Sequence, residues 1–395
     1  MNRVLFLIVL LVVGACTSKD VIEQPTHALT GSAEPFLFAD NSGQVFLSCV
    51  EKKDTVGYLK YSKWNNGSWS EPNLIASGNN WFVNWADYPM LAVNKEKFVA
   101  HFLAKSGDGT FAYDVNLTTS DDGTTWNKSF VIHDDHKQAE HGFVSLLPYG
   151  DNFLVAWLDG RNTVMEGMEN MDHHDGHHGV MTLRAAVIDS SGNKLNEWEL
   201  DSRTCDCCQT AAALTSEGPV VVYRDRSERE IRDISITRFV NGAWTVPQPV
   251  YTDNWKIEGC PVNGPRVDAR GNNVVVAWFT SADNESAVRL AFSQDGGATF
   301  GRPVRVDAGN PIGRVDVVLV NDDEAVVSWM ENNSINVMRI NKDGVQSNVK
   351  QITTTTEARS SGFPQMTRLN NQLIFAWTDD EAKRVKSAVM DIDGL

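Results

Sequence analysis

Four of the six cysteines in this 395-residue chain fall in two short stretches, Cys205-Asp206-Cys207-Cys208 and Glu258-Gly259-Cys260-Pro261. A Cys-x-Cys-Cys run joined by a fourth Cys offers up to four soft thiolate ligands to a transition metal. In an oxidising compartment the same residues suit a disulfide, Cys205 or Cys208 to Cys260. The two readings are compatible, because one bridge still leaves two cysteines as ligands. A second stretch, residues 162–180, holds Met165, Met168, Met171, His173, His174, His177 and His178. Thioether with imidazole suits copper, Met favouring Cu(I) and His serving either oxidation state, with zinc the alternative. This stretch has no scaffold to fix geometry, so it reads as a collecting arm rather than a rigid site. A third set, Asp159, Arg161, Arg224, Asp225, Glu258 and Arg314, could bind an anion and supply paired carboxylates for a glycosidase. Clusters such as Arg224-Asp225-Arg226 and Arg232-Asp233 also read as structural ion-pair networks. Cys49 sits in an apolar strand and reads as a buried inert thiol.

These residues need elements to position them, and the elements repeat. Apolar strands with a shared ending recur as QVFLSCVE (44–51), KFVAHFLA (97–104), NFLVAWLDGR (152–161), PVVVYRDR (219–226), NVVVAWFT (273–280), EAVVSWME (324–331) and QLIFAWTD (372–379). Their spacing is that of propeller blades. Asn-Gly, Asp-Gly and Asn-Asn turns between them suit tight hairpins, and no amphipathic helix of useful length appears. The pattern predicts an all-β fold, a β-propeller of four-stranded blades over 34–395. Seven units are counted, with six blades the alternative if one unit is degenerate. The last, 362–395, stops after its third strand, so part of 20–33 is expected to close the ring. In such a ring the connections entering innermost strands and leaving second strands share one face. The four clustered cysteines, the Met/His stretch, and Asp159, Arg161, Arg224, Asp225, Glu258 and Arg314 fall at those connections.

Thr119-Ser-Asp121-Asp-Gly123-Thr-Thr125-Trp126 and Ser293-Gln-Asp295-Gly-Gly297-Ala-Thr299-Phe300 fit the pattern S/T-x-D-x-G-x-T-W/F. The chain therefore resembles the Asp-box (BNR-repeat) propellers of the sialidase-like superfamily. The resemblance places these boxes between third and fourth strands, away from the active face, with a structural role. It also implies a three-arginine carboxylate clamp and a Tyr–Glu nucleophile. No arginine lies between Arg3 and Arg161, so the first-blade arginine is missing and a sialidase proper is not expected.

Val4 to Val13 is too short to span a bilayer but suits a signal peptide. It ends Val13-Gly14-Ala15-Cys16, similar to the bacterial lipobox. The expectation is a signal peptide over 1–15 and a lipidated Cys16 with a tether over 16–33. Thr17 in place of Asp points to the outer membrane. A net charge of -16 argues against nucleic acid and against adhesion to anionic lipid, so the membrane is met only through the lipid. A closed ring has no edge that requires a partner, which predicts a monomer. Three function classes follow: a soft-metal protein with copper favoured, a glycoside hydrolase or glycan binder, and a non-catalytic platform for envelope proteins.

Overall fold

The computed structural model describes residues 21–164 and 179–395. Residues 1–15, expected as a signal peptide, Cys16, the start of the expected tether, and Met165, Met168, Met171, His173, His174, His177 and His178 lie outside the described residues. Among the described residues no helix is long and apolar enough to cross a membrane.

The sequence repeat becomes seven sheets, each with a path of four strands in simple up-and-down order. Blade one begins at Ser32–Ala39, blade two at Leu91–Asn94, blade three at His141–Tyr149 and blade four at Ala211–Leu214. Blades five, six and seven begin at Arg266–Arg270, Pro311–Leu319 and Gln365–Leu369. Six blades, the alternative, is excluded. The seventh sheet takes its outer strand from the other end of the chain, where Ile22–Gln24 pairs antiparallel with Ser387–Val389. Thr26 Oγ1 donates to Val385 O (2.8 Å) and Ser387 Oγ donates to Gln24 O (3.1 Å), fastening the same seam.

The second strands supply the core. Trp157, Trp278, Trp329 and Trp377 occupy equivalent places in blades three, five, six and seven, each at most 3% exposed. A buried indole N–H needs an acceptor. Trp157 Nε1 donates to Asp159 Oδ2 (2.8 Å) and Trp329 Nε1 to Glu331 Oε2 (2.9 Å). The Trp-x-Asp/Glu spacing is thus a packing device: an acid two residues on, at the strand end, serves the ring before it. Covering one such ring stabilises the blade by about 4–6 kcal/mol, an upper figure.

Both Asp boxes sit in the turns between third and fourth strands, of blades two and five. In the second box Asp295 Oδ1 accepts from Thr299 N (2.9 Å). In the first, Asp122 rather than Asp121 takes this part, accepting from the Thr124 and Thr125 amides at 2.7 Å. The cause is a turn one residue shorter. Ser120 Oγ accepts from Gly123 N three residues on, where Ser293 Oγ accepts from Gly297 N four residues on. Asp121 instead pairs with Lys97.

The middle of the ring is bridged by one segment that the repeat does not contain. Residues 85–88, in the connection from blade one to blade two, touch every other blade. Trp85 stacks on Phe363 of the blade-seven connection and lies under the Arg314 guanidinium of blade six. Ala86 O accepts from Gln209 Nε2 before blade four (2.5 Å). Asp87 Oδ2 accepts from Phe143 N of blade three (2.8 Å). Tyr88 stacks on Phe36 of blade one and carries the blade-five Arg266 guanidinium over its face.

Candidate metal site on the channel face

Cys205 follows directly on the outermost strand of blade three, Lys194–Thr204, where the chain turns into blade four. Its N–H donates to Arg224 O (3.0 Å) at the end of blade four's second strand, which fixes where the Cys-x-Cys-Cys run begins. Cys205 and Cys208 are buried, Cys207 is half-buried and Cys260 is exposed; all are free thiols, as is Cys49. The three clustered sulfurs lie within 4.8 Å of one another. Cys205 Sγ is 3.8 Å from Cys207 Sγ and 3.3 Å from Cys208 Sγ. A metal–sulfur bond of about 2.3 Å puts tetrahedral ligand sulfurs about 3.8 Å apart, so Cys205 and Cys207 stand at a coordination edge. Cys260 arrives on a separate loop before blade five.

The electrostatics differ from thiol to thiol. Burial opposes ionisation of Cys205, but the Cys207 and Cys208 thiols and the Arg232 guanidinium outweigh it and hold Cys205 well below the ordinary range. Arg232 Nη1 donates to Cys205 Sγ at 3.3 Å. The Cys205 thiol, ahead of burial, pushes Cys207 up; burial pushes Cys208 up. The Cys207 thiol draws Cys260 down against its burial. Arg226 and Arg232 are both tied to Glu230, and both approach Asp206. One guanidinium thus faces the sulfurs while its carboxylate partners hold it in place. Burial also pushes Cys49 up to about 12, with Glu51 and Glu34 adding to it, which makes it a poor ligand.

The hydrolase candidates are placed differently. Asp159 is fully buried and spends its oxygens on Trp157 Nε1 and on Arg161 N, Nε and Nη2, at 2.8–3.0 Å. Arg224 is 1% exposed, with Nε and Nη2 on Asn263 O, Nη2 also on Phe279 O and Nη1 on Arg232 O. Arg314 donates to Ala358 O, Gly362 O and Glu357 O. Burial brings Arg314 down to about 10. These guanidiniums hold main chain together. Asp225 accepts from Arg226 N and Ser235 Oγ, and burial, then Asp201, raises it to about 6. Glu258 is exposed, beside Lys256. Tyr223 lies in the core with its hydroxyl on Asp201.

Two clusters escaped the sequence reading. Tyr113 Oη donates to Glu140 Oε1 (2.7 Å), and burial lifts Glu140 to about 8, with Asp206, Asp87 and Cys260 adding to it. His133 and His141 stack at 3.7 Å between ring centres, 8° from parallel. Asp135 bridges them, Oδ1 to His133 Nδ1 (2.8 Å) and Oδ2 to His141 Nε2 (3.0 Å). Rings stacked in this way cannot both point a lone pair in-plane at one ion. His141 Nδ1 faces the Tyr113 and Ala139 carbonyls and Asp114, and against its burial Asp135, Asp159 and Asp114 raise its pKa above the ordinary imidazole value. The run His133-Asp134-Asp135-His136, followed by Glu140-His141, was the sequence signal for this cluster.

No protein-family model matches the chain, and no curated protein matches it. Among solved structures it is similar to a Dyadobacter fermentans protein of unknown function (TM-score 0.51, 14% identity, 80% of this chain and 96% of that one). It is also similar to the polysaccharide lyase Uly1 (TM-score 0.52, 7% identity, 91% and 90%). A third is the Fusarium graminearum α-L-arabinofuranosidase Arb93A with an iminosugar inhibitor (TM-score 0.50, 11% identity, 94% and 97%). At these identities the likeness is one of fold: the chain shares the propeller architecture of those proteins.

Proposed function

We propose that this protein binds a soft transition-metal ion, Cu(I) before Zn(II), at Cys205, Cys207, Cys208 and Cys260. Residues 165–178, with their Met and His, are proposed to gather the ion, and Cys16 to carry a lipid that holds the body at the bacterial outer membrane. The observation that supports this most directly is the set of three free thiols within 4.8 Å of one another, 3.8 Å apart along one edge. Arg232 beside Cys205 offsets part of the charge that several thiolates would bring together. A trithiolate suits Cu(I), which accepts low coordination and soft ligands. The glycosidase reading has less support, because Arg224 and Arg314 already hold main-chain carbonyls and Asp159 is held by Arg161 and Trp157.

Metal analysis by mass spectrometry on protein purified anaerobically from copper- and zinc-supplemented cells tests the reading, alongside a free-thiol count. Near-stoichiometric metal that disappears in a Cys207→Ser/Cys208→Ser variant is expected. Absence of metal, with the cysteines oxidised in pairs, would return them to the role of staples. Incorporation of labelled fatty acid, lost in Cys16→Ser, tests the anchor.

A further inference from the structure

The four thiols are not equivalent, and their differences point to how an ion is delivered. Cys205 and Cys208 are sealed, at 0% and 1% exposure. Cys207 is half-buried and Cys260 open to solvent. The first three ride on one short run pinned to blade four by Cys205 N and Arg224 O. Cys260 comes instead on the connection from blade four to blade five. That connection contains Val262 at φ 47°, a left-handed conformation that a β-branched residue adopts only under strain. The Cys207 thiol draws the exposed Cys260 thiol below its ordinary range, against burial.

Resting on the thiolate reading above, we propose that Cys260 is the exchange ligand of the site. It takes Cu(I) from a thiolate-bearing carrier and passes it inward to Cys205, Cys207 and Cys208. The ion is then cargo, handed on rather than held for a reaction. In the exchange the Cys260 thiolate forms a Cu–S bond while a carrier thiolate leaves and takes up a proton from water. As Cys205, Cys207 and Cys208 then bond the ion, those still protonated release their protons to water. The Cys260–Cu bond breaks to free its thiolate, and copper stays Cu(I) throughout. Two sealed sulfurs and the half-buried Cys207 supply retention. A fourth that water and a carrier can reach supplies the route, because associative exchange needs one ligand outside the seal.

The test uses Cu(I)–glutathione as donor under anaerobic conditions, with stopped-flow uptake and equilibrium competition against a chromogenic Cu(I) chelator, on wild type and Cys260→Ser. The expected result is one Cu(I) bound by both proteins, with uptake by Cys260→Ser slower by tenfold or more. Cys260→His, which restores a ligand at the exposed position, is expected to recover part of that rate. Equal uptake rates in wild type and Cys260→Ser overturn the proposal. So does loss of Cu(I) from Cys260→Ser at equilibrium as complete as from Cys205→Ser, which would make Cys260 a holding ligand. Failure of wild type itself to bind Cu(I) sinks the metal reading, and is distinguished from these by the missing stoichiometry.

Discussion

Arg224 and Cys205 are joined through the main chain: the Cys205 N–H donates to the Arg224 carbonyl at 3.0 Å. The Arg224 guanidinium meanwhile grips carbonyls of Asn263, Phe279 and Arg232. One residue thus sets both loops that carry the cysteines, since Asn263 follows Cys260 by three residues.

Arg224→Met is therefore expected to destabilise the fold by about 3 kcal/mol or more, because buried carbonyls lose charged donors. A urea titration measures it. The same variant should bind metal more weakly, whereas a residue needed only for sugar chemistry would leave metal binding alone.

Gln209 is the second bracket. Its Nε2 donates to Ala86 O and its Oε1 accepts from Gly264 N, both buried. Gln209→Ala leaves two main-chain groups without partners and should cost about 2–4 kcal/mol in chemical denaturation. A loss below about 0.5 kcal/mol would mean that water or another group serves both.

Stability should fall as pH rises from about 5 to about 8. Burial lifts Glu34 and Asp87 to about 7 and Glu140 to about 8. Between the ordinary carboxyl range and these values the folded chain binds more protons than the unfolded one, so raising pH favours unfolding. His141 acts in the same direction: Asp135 and Asp159 raise it against burial, and its contribution, full below the unfolded value near 6.5, is lost as pH passes the folded one. Melting temperature across pH 5–8 should decline, and Glu140→Gln should flatten the decline. A melting temperature that rises over this window contradicts the assignment.

Removing residues before Ala28 should open the ring. The closing strand contributes the ladder from Ile22 to Gln24 and the Thr26 and Ser387 hydrogen bonds, each worth about 1 kcal/mol. A loss of roughly 3 kcal/mol, with a lower urea midpoint, is expected; an unchanged midpoint would mean that the seam is dispensable.

The parts that repeat were legible in the sequence. Strand patterns such as NVVVAWFT announce blades because burial and the two-residue period act locally, and the short seventh unit told that the other end must close it. The Cys-x-Cys-Cys run was legible too, since its members are neighbours in the chain. What stayed hidden depends on contacts between distant residues. Trp85 meets Phe363, Gln209 meets Ala86, and Arg232 reaches Cys205 across a hairpin. Arg224 and Arg314 resembled anion ligands because an arginine's type says nothing of whether carbonyls already occupy it. Asp159 resembled an acid catalyst because the need of Trp157 for an acceptor is visible only once both are buried.

The direction of the closing strand has a consequence for orientation. Ile22–Gln24 runs antiparallel to the third strand of blade seven, and third strands run from the cysteine side toward the Asp-box side. The chain therefore joins the ring travelling from the Asp-box side, with Ile22 behind Gln24. Whatever holds the residues before Ile22 pulls on the Asp-box side, and the thiols look the opposite way. A tethered body would present its cysteines outward like a cup held from beneath, open to what arrives from the surrounding fluid.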